Sequence, residues 1–232
     1  MLLQTLTITF ILFIGIFPNP NYTESNKSSS SSLSNTSRIS EIYEQLYSVN
    51  ENVPSEEVLT LALQGWIKLN GELKSKLLTV IDFSMPSTEK RLWIINPETG
   101  EVLLNSVVSH GRNSGGLIAN AFSNQPESFK SSLGFYKTAE TYAGKHGYSL
   151  RLDGLEIGFN DQARNRAIVI HGADYAREEF AASVGRLGRS LGCPALPTEL
   201  STQAINLIKD GSLLFIFAND PQYLNKSSLI QA

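Results

Sequence analysis

The sequence predicts a mainly β, α+β fold with helices at its N-terminus and around its periphery. Three observations predict it. Runs rich in β-branched and aromatic residues recur between residues 77 and 218, separated by Gly, Pro and Asn. Helical spacing of apolar residues is confined to two segments before residue 70 and one near residue 200. Of 232 residues, 41% are hydrophobic and a single one is cysteine, so the core must hold without an intramolecular disulfide.

Taken in order, Leu6 to Phe17 (LTITFILFIGIF) has the length of a signal-peptide h-region and falls short of the roughly 18 residues of a membrane span. Residues 1–20 are therefore expected to be an apolar leader, although no Lys or Arg precedes Lys27. Nine of the sixteen residues from Ser25 to Ser40 are Ser, so 21–40 is expected to be a flexible tether. Leader and tether together suggest an exported protein, periplasmic or wall-associated, touching a membrane only through an uncleaved leader. A helical part, 41–76, follows. Ile39, Ile42, Tyr43, Leu46 and Tyr47 share one helical face. Ser55 then caps a second helix whose first turn carries Glu56 and Glu57, with Val58, Ala62, Gly65, Trp66 and Leu69 inward.

After Asn70-Gly71 the period shortens. Strands are expected at 77–83, 91–95, 101–109, 149–153, 155–159, 167–170 and 212–218, with a turn at Asn96–Gly100. A late helix, capped by Thr198, runs to Lys209 with Ala204, Leu207 and Ile208 inward. The main domain is 77–218, and 219–232 reads as a C-terminal tail. Twelve of the seventeen glycines lie between Gly111 and Gly192, so a site is best sought there.

The formal charge of −3, with no polybasic run, argues against a nucleic-acid partner. The lone cysteine gives more. Cys193 sits between Gly192 and Pro194, on a turn instead of an apolar strand, with Arg186 and Arg189 nearby in sequence to favour thiolate. A nucleophilic thiol needs a base. His171 stands at the end of the apolar run Ala167-Ile168-Val169-Ile170 and is followed by Gly172, a placement that suits a strand-end catalytic imidazole. The orienting third group is left open between a backbone carbonyl and a hydroxyl. His110, His146 and His171 lack the paired spacing of a metal site, so no metal or other cofactor is expected.

His171-Gly172 followed by Ser190-Leu191-Gly192-Cys193 resembles the His-Gly … Ser-His-Gly-Cys signature of the YkuD-type L,D-transpeptidases. The longer pattern resembles the murein L,D-transpeptidase catalytic domain family, through Ser84–Trp93, His110–Ser114, Ser132–Tyr136, Gly144–Asp161 and Gly185–Ala195. The resemblance covers roughly residues 77–218. It implies a β-sandwich or barrel catalytic domain and acyl transfer on peptidoglycan stem peptides, which serve as donor and acceptor. Cys193 would attack the third stem residue, release the terminal D-alanine, and pass the acyl group to an amine, forming a 3→3 cross-link. In this reading His171 is the base and Ser190 and Gly172 support the site. The N–H groups of Gly192 and Cys193 are candidates to hold the oxyanion. Arg186, Arg189, His146, His110, Tyr148 and Asn160 are candidates for substrate contact.

One departure stands out: Leu191 occupies the place of the signature's second histidine, and His146 and His110 are the candidates to fill that space. Two other functions fit the same sequence. One is an L,D-carboxypeptidase or endopeptidase that gives the thioester to water; the other is a non-catalytic wall-binding module.

Overall fold

The computed structural model describes residues 25–231, so the leader expectation lies outside the described residues. The first helix, α1 (Ser25–Val49), begins inside the Ser-rich segment expected to be a tether. Its Ile42 and Leu46 are buried, whereas Asn35 to Arg38 are exposed. Once the packed turns nucleate a helix, extending it upstream requires no further burial. In α2 (Glu56–Leu69) the Ser55 side chain accepts from the Val58 N–H, and Val58, Leu59, Ala62, Leu63, Gly65 and Trp66 are buried.

Eight strands form one sheet: β1 (Leu78–Asp82), β2 (Leu92–Asn96), β3 (Glu101–Ser106), β4 (Gly134–Gly144), β5 (Gly147–Gly154), β6 (Val169–Gly172), β7 (Ala195–Leu196) and β8 (Leu213–Phe217). Their order is β3-β2-β1-β8-β4-β5-β6-β7. The last long strand, β8, sits in the middle, parallel to β1 and antiparallel to β4. All five of its residues are buried, as an unbroken apolar strand in a covered position should be. The two ends of the sheet curl towards each other. Just beyond β3, Ser109 bridges Ala195 of β7, and Gly111 bridges Ser190. The sheet is nearly closed, and the closure falls at the loop that carries Cys193.

Several expectations change. Strand β4 is not anticipated from the sequence, although Phe135, Tyr136, Thr138, Thr141 and Tyr142 carry a β-type composition. Residues 155–159 are a turn and not a strand, because Asn160 and Glu156 anchor them from within. The late helix, α4 (Thr198–Ile208), has Pro197 at its cap position without a side-chain bond, while the Thr198 hydroxyl donates to Asp174. A short α3 (Glu178–Val184) precedes it. The segment read as a tail contains α5 (Pro221–Lys226), whose buried Tyr223 donates to Glu156 at 2.9 Å.

Candidate active site

Strand β6 pairs with β7 in parallel, His171 opposite Ala195, so the end of the apolar run and the loop before β7 lie side by side. Cys193 is half-buried in that loop. Its Sγ–H donates to the Ala167 carbonyl at 3.7 Å, and Ala167 holds a φ of 52°, a left-handed conformation rare for a residue with a Cβ. The thiol thus lies along the stretch that leads into His171. Lys145, at the β4–β5 turn, acts electrostatically on both groups.

His171 is buried, and its Nδ1 lies 3.0 Å from the Gly172 carbonyl. A carbonyl can only accept, so Nδ1 carries the proton and Nε2 is the basic nitrogen. Of the alternatives left open for the group that orients the ring, the one found against Nδ1 is a backbone carbonyl. Gly172 is required there, since a Cβ would come within 2.5 Å of the Ser201 hydroxyl on α4. Burial lowers the basicity of His171, opposed by the Gly172 bond and reinforced by His146 and Lys145. At neutral pH His171 is therefore a neutral imidazole.

The thiol itself is pushed up by burial, with the Val169 N–H, Arg166 and Lys145 pulling it back. Arg186 and Arg189 do not supply that charge. Arg186 donates to the Leu187 carbonyl at 2.8 Å, and Arg189 to the carbonyls of Gly115 (3.0 Å) and Arg112 (3.3 Å). Their influence falls on His110 instead. Sequence proximity misled because Arg189 lies beside the Gly111–Ser190 bridge, where its guanidinium meets the 112–115 backbone.

Ser190 clasps the loop: its Oγ accepts from the Gly192 N–H at 3.0 Å and donates to the Cys193 carbonyl at 2.6 Å. The Gly192 N–H is therefore engaged and is not a free oxyanion donor, which corrects the expectation for Gly192. Gly192 serves backbone shape, with φ 127° and the Lys130 carbonyl 2.9 Å from where a Cβ would stand.

Of the candidates for substrate contact, His146 is the one seen against the His171 ring. It is exposed at the β4–β5 turn and stacks on His171, ring centroids 4.4 Å apart. Leu191 is 53% exposed and stands apart from that role. His110 is wholly buried and belongs to the scaffold: Arg91 donates to its Nδ1 at 2.8 Å, and its carbonyl accepts from the Ser190 N–H. Asn160, also wholly buried, donates to the carbonyls of Leu133 and Phe135 and accepts from the Glu156 N–H, each at 2.9 Å. It cannot meet a stem carboxylate. Tyr148 is half-buried, its hydroxyl donating to Asn206 on α4 at 3.0 Å. Three residues near the thiol were not singled out from sequence: Arg166, Lys145 and Tyr175. Arg166 alone left a signal, as the charge that opens the apolar run.

A search of curated proteins finds no match. Solved structures similar to the chain include an L,D-transpeptidase from Mycobacterium smegmatis, at 16% identity and TM-score 0.37, covering 61% of this chain and 58% of that one. An L,D-transpeptidase from Stackebrandtia nassauensis matches at 18% identity and TM-score 0.38, covering 70% and 67%. One from Xylanimonas cellulosilytica matches at 11% identity and TM-score 0.36, covering 75% and 90%. The chain spans 58% of the length of the Mycobacterium smegmatis protein. The profile of the L,D-transpeptidase catalytic domain matches residues 50–217, well over half of this sequence. The chain belongs to the L,D-transpeptidase catalytic domain family.

Proposed function

We propose that this protein transfers acyl groups between peptidoglycan stem peptides through a thioester on Cys193. The observation that supports it most is the Nδ1–H bond of His171 to the Gly172 carbonyl, which leaves Nε2 basic on the strand residue paired with Ala195, two positions after the only thiol of the chain. Nε2 takes the Sγ proton as sulfur attacks the carbonyl carbon of the third stem residue. The tetrahedral adduct collapses, the C–N bond breaks, and the imidazolium returns the proton to the departing D-alanine amine. An amine of a second stem then attacks the thioester, loses its proton to Nε2, and expels the thiolate, which is reprotonated. The neutral His171 imidazole suits this order, because deprotonation accompanies attack.

Incubation of the protein with defined tetrapeptide muropeptides, read by mass spectrometry, tests the proposal. Cross-linked dimers with loss of D-alanine are expected, falling by several orders of magnitude in Cys193→Ser. Tripeptides alone would make the protein a hydrolase, and unchanged substrate would leave a wall-binding module. The substrate lies outside the cytoplasm, so the reading includes export, checked by N-terminal sequencing of the native protein.

A further inference from the structure

Arg166 is half-buried just ahead of β6, and its guanidinium makes four hydrogen bonds. Nη1 donates to the Ser123 carbonyl at 2.7 Å and to the Ser132 hydroxyl; Nη2 donates to the Lys130 carbonyl at 2.6 Å and the Ser128 hydroxyl at 3.3 Å. All four acceptors are uncharged, so these bonds fix the head without neutralising it. The same Nη2 lies 3.3 Å from the position of a Cβ on Gly192, the residue before the nucleophile. The Lys130 carbonyl it holds is the atom packed against Gly192, and the neighbouring Ser131 donates its hydroxyl to the Gly192 carbonyl at 3.2 Å. The loop it gathers is strained, with Glu127 at φ 57° and Phe129 at φ 53°.

We propose that Arg166 is a positioning residue with two linked tasks: it straps the 123–132 loop against Gly192, and it supplies the uncompensated positive charge that favours the Cys193 thiolate. The proposal rests on the reading of Cys193 as nucleophile. A charge held in place by two backbone carbonyls and two hydroxyls has little reorganisation to undergo when negative charge develops on sulfur. The other ionisable groups that act on the thiol are Lys145 at the β4–β5 turn and Tyr175 after β6, and His171, with His146 stacked on it, stands on β6 opposite Ala195. Lys145 and His146 are exposed, so solvent screens them, while the guanidinium is partly shielded.

The test is the pH profile of Cys193 alkylation by iodoacetamide in the full chain, in which sulfur displaces iodide. In Arg166→Gln the midpoint is expected to rise by about one pH unit and the rate below it to fall roughly tenfold. Arg166→Lys keeps the charge but not the fork, and its midpoint should stay within about 0.3 of wild type. Loosening of the loop alone would change rates without moving the midpoint. A wild-type midpoint in Arg166→Gln overturns the proposal, as does an equal shift in both variants. Should Arg166→Gln not fold, Arg166→Lys decides alone: an unmoved midpoint supports the charge, and a shift of about one unit refutes it. Muropeptide turnover that survives Cys193→Ser would sink the nucleophile itself, whereas an unmoved midpoint with inactive Cys193→Ser removes only the role of Arg166.

Discussion

Acid should loosen this fold through His110, and the size of the effect follows from its surroundings. Nδ1 accepts from Arg91, so Nε2 carries the proton and faces the Gly115 carbonyl at 3.4 Å, leaving the wholly buried ring neutral. Burial, with Arg91 next, holds His110 down from 6.5 to about 4. A histidine depressed in the fold binds its proton more readily when unfolded. Its penalty is therefore absent above pH 6.5, grows as pH falls through that value, and levels off below about 4. At about 1.4 kcal/mol per pH unit, the loss near pH 4 is roughly 3 kcal/mol. Buried Asp82 and Glu156 are pushed the other way, their carboxyls raised by burial, and oppose this trend in the whole protein. The comparison that isolates the histidine is His110→Asn, whose amide can accept from Arg91 but cannot titrate. Urea unfolding at constant ionic strength should show the wild-type advantage over His110→Asn shrinking by about 3 kcal/mol between pH 7 and pH 4. A difference that does not vary with pH would refute the account.

Three further outcomes are expected. Asn160→Ala strands the Leu133 carbonyl and the Glu156 N–H in the core and leaves the Phe135 carbonyl with only the Leu155 N–H, so urea unfolding should show a loss of about 2–4 kcal/mol with turnover per folded molecule intact. Unchanged stability with a lower kcat would return Asn160 to substrate binding. Gly192→Ala combines an unsuitable φ with a contact at 2.9 Å to the Lys130 carbonyl, and should cost about 1–3 kcal/mol of stability and most of the muropeptide turnover. A variant with wild-type melting and turnover would show that the loop shape is not demanding. His146→Ala removes the ring stacked on His171 and should lower kcat roughly three- to tenfold, whereas His146→Phe keeps a ring in place and should recover most of it. Equal losses in both would assign His146 to its imidazole chemistry instead of to stacking.

The proposed nucleophile and base are picked out in the sequence for local reasons. A Gly-Cys-Pro turn and a histidine that ends an apolar run each signal their setting within a few residues. The fold class is readable too, since alternation and helical spacing are properties of neighbouring residues. Roles that depend on distant partners are not. His110 and Asn160 look like polar residues beside glycines, and only the packing of Arg91, Phe135 and Glu156 around them makes them scaffold. Arg186 and Arg189 are near Cys193 in sequence, yet the charge close to the thiol comes from Arg166 and Lys145. Strand β4 was obscured because its apolar positions are interrupted by Lys137 and Glu140, and its place in the sheet depends on pairing with β5 and β8. The sequence by itself determined which groups can do chemistry, because reactivity begins with residue type and the conformation of the next few bonds. Which charges, carbonyls and rings surround those groups was decided by sheet closure, which sets residues separated by tens of positions within hydrogen-bonding distance.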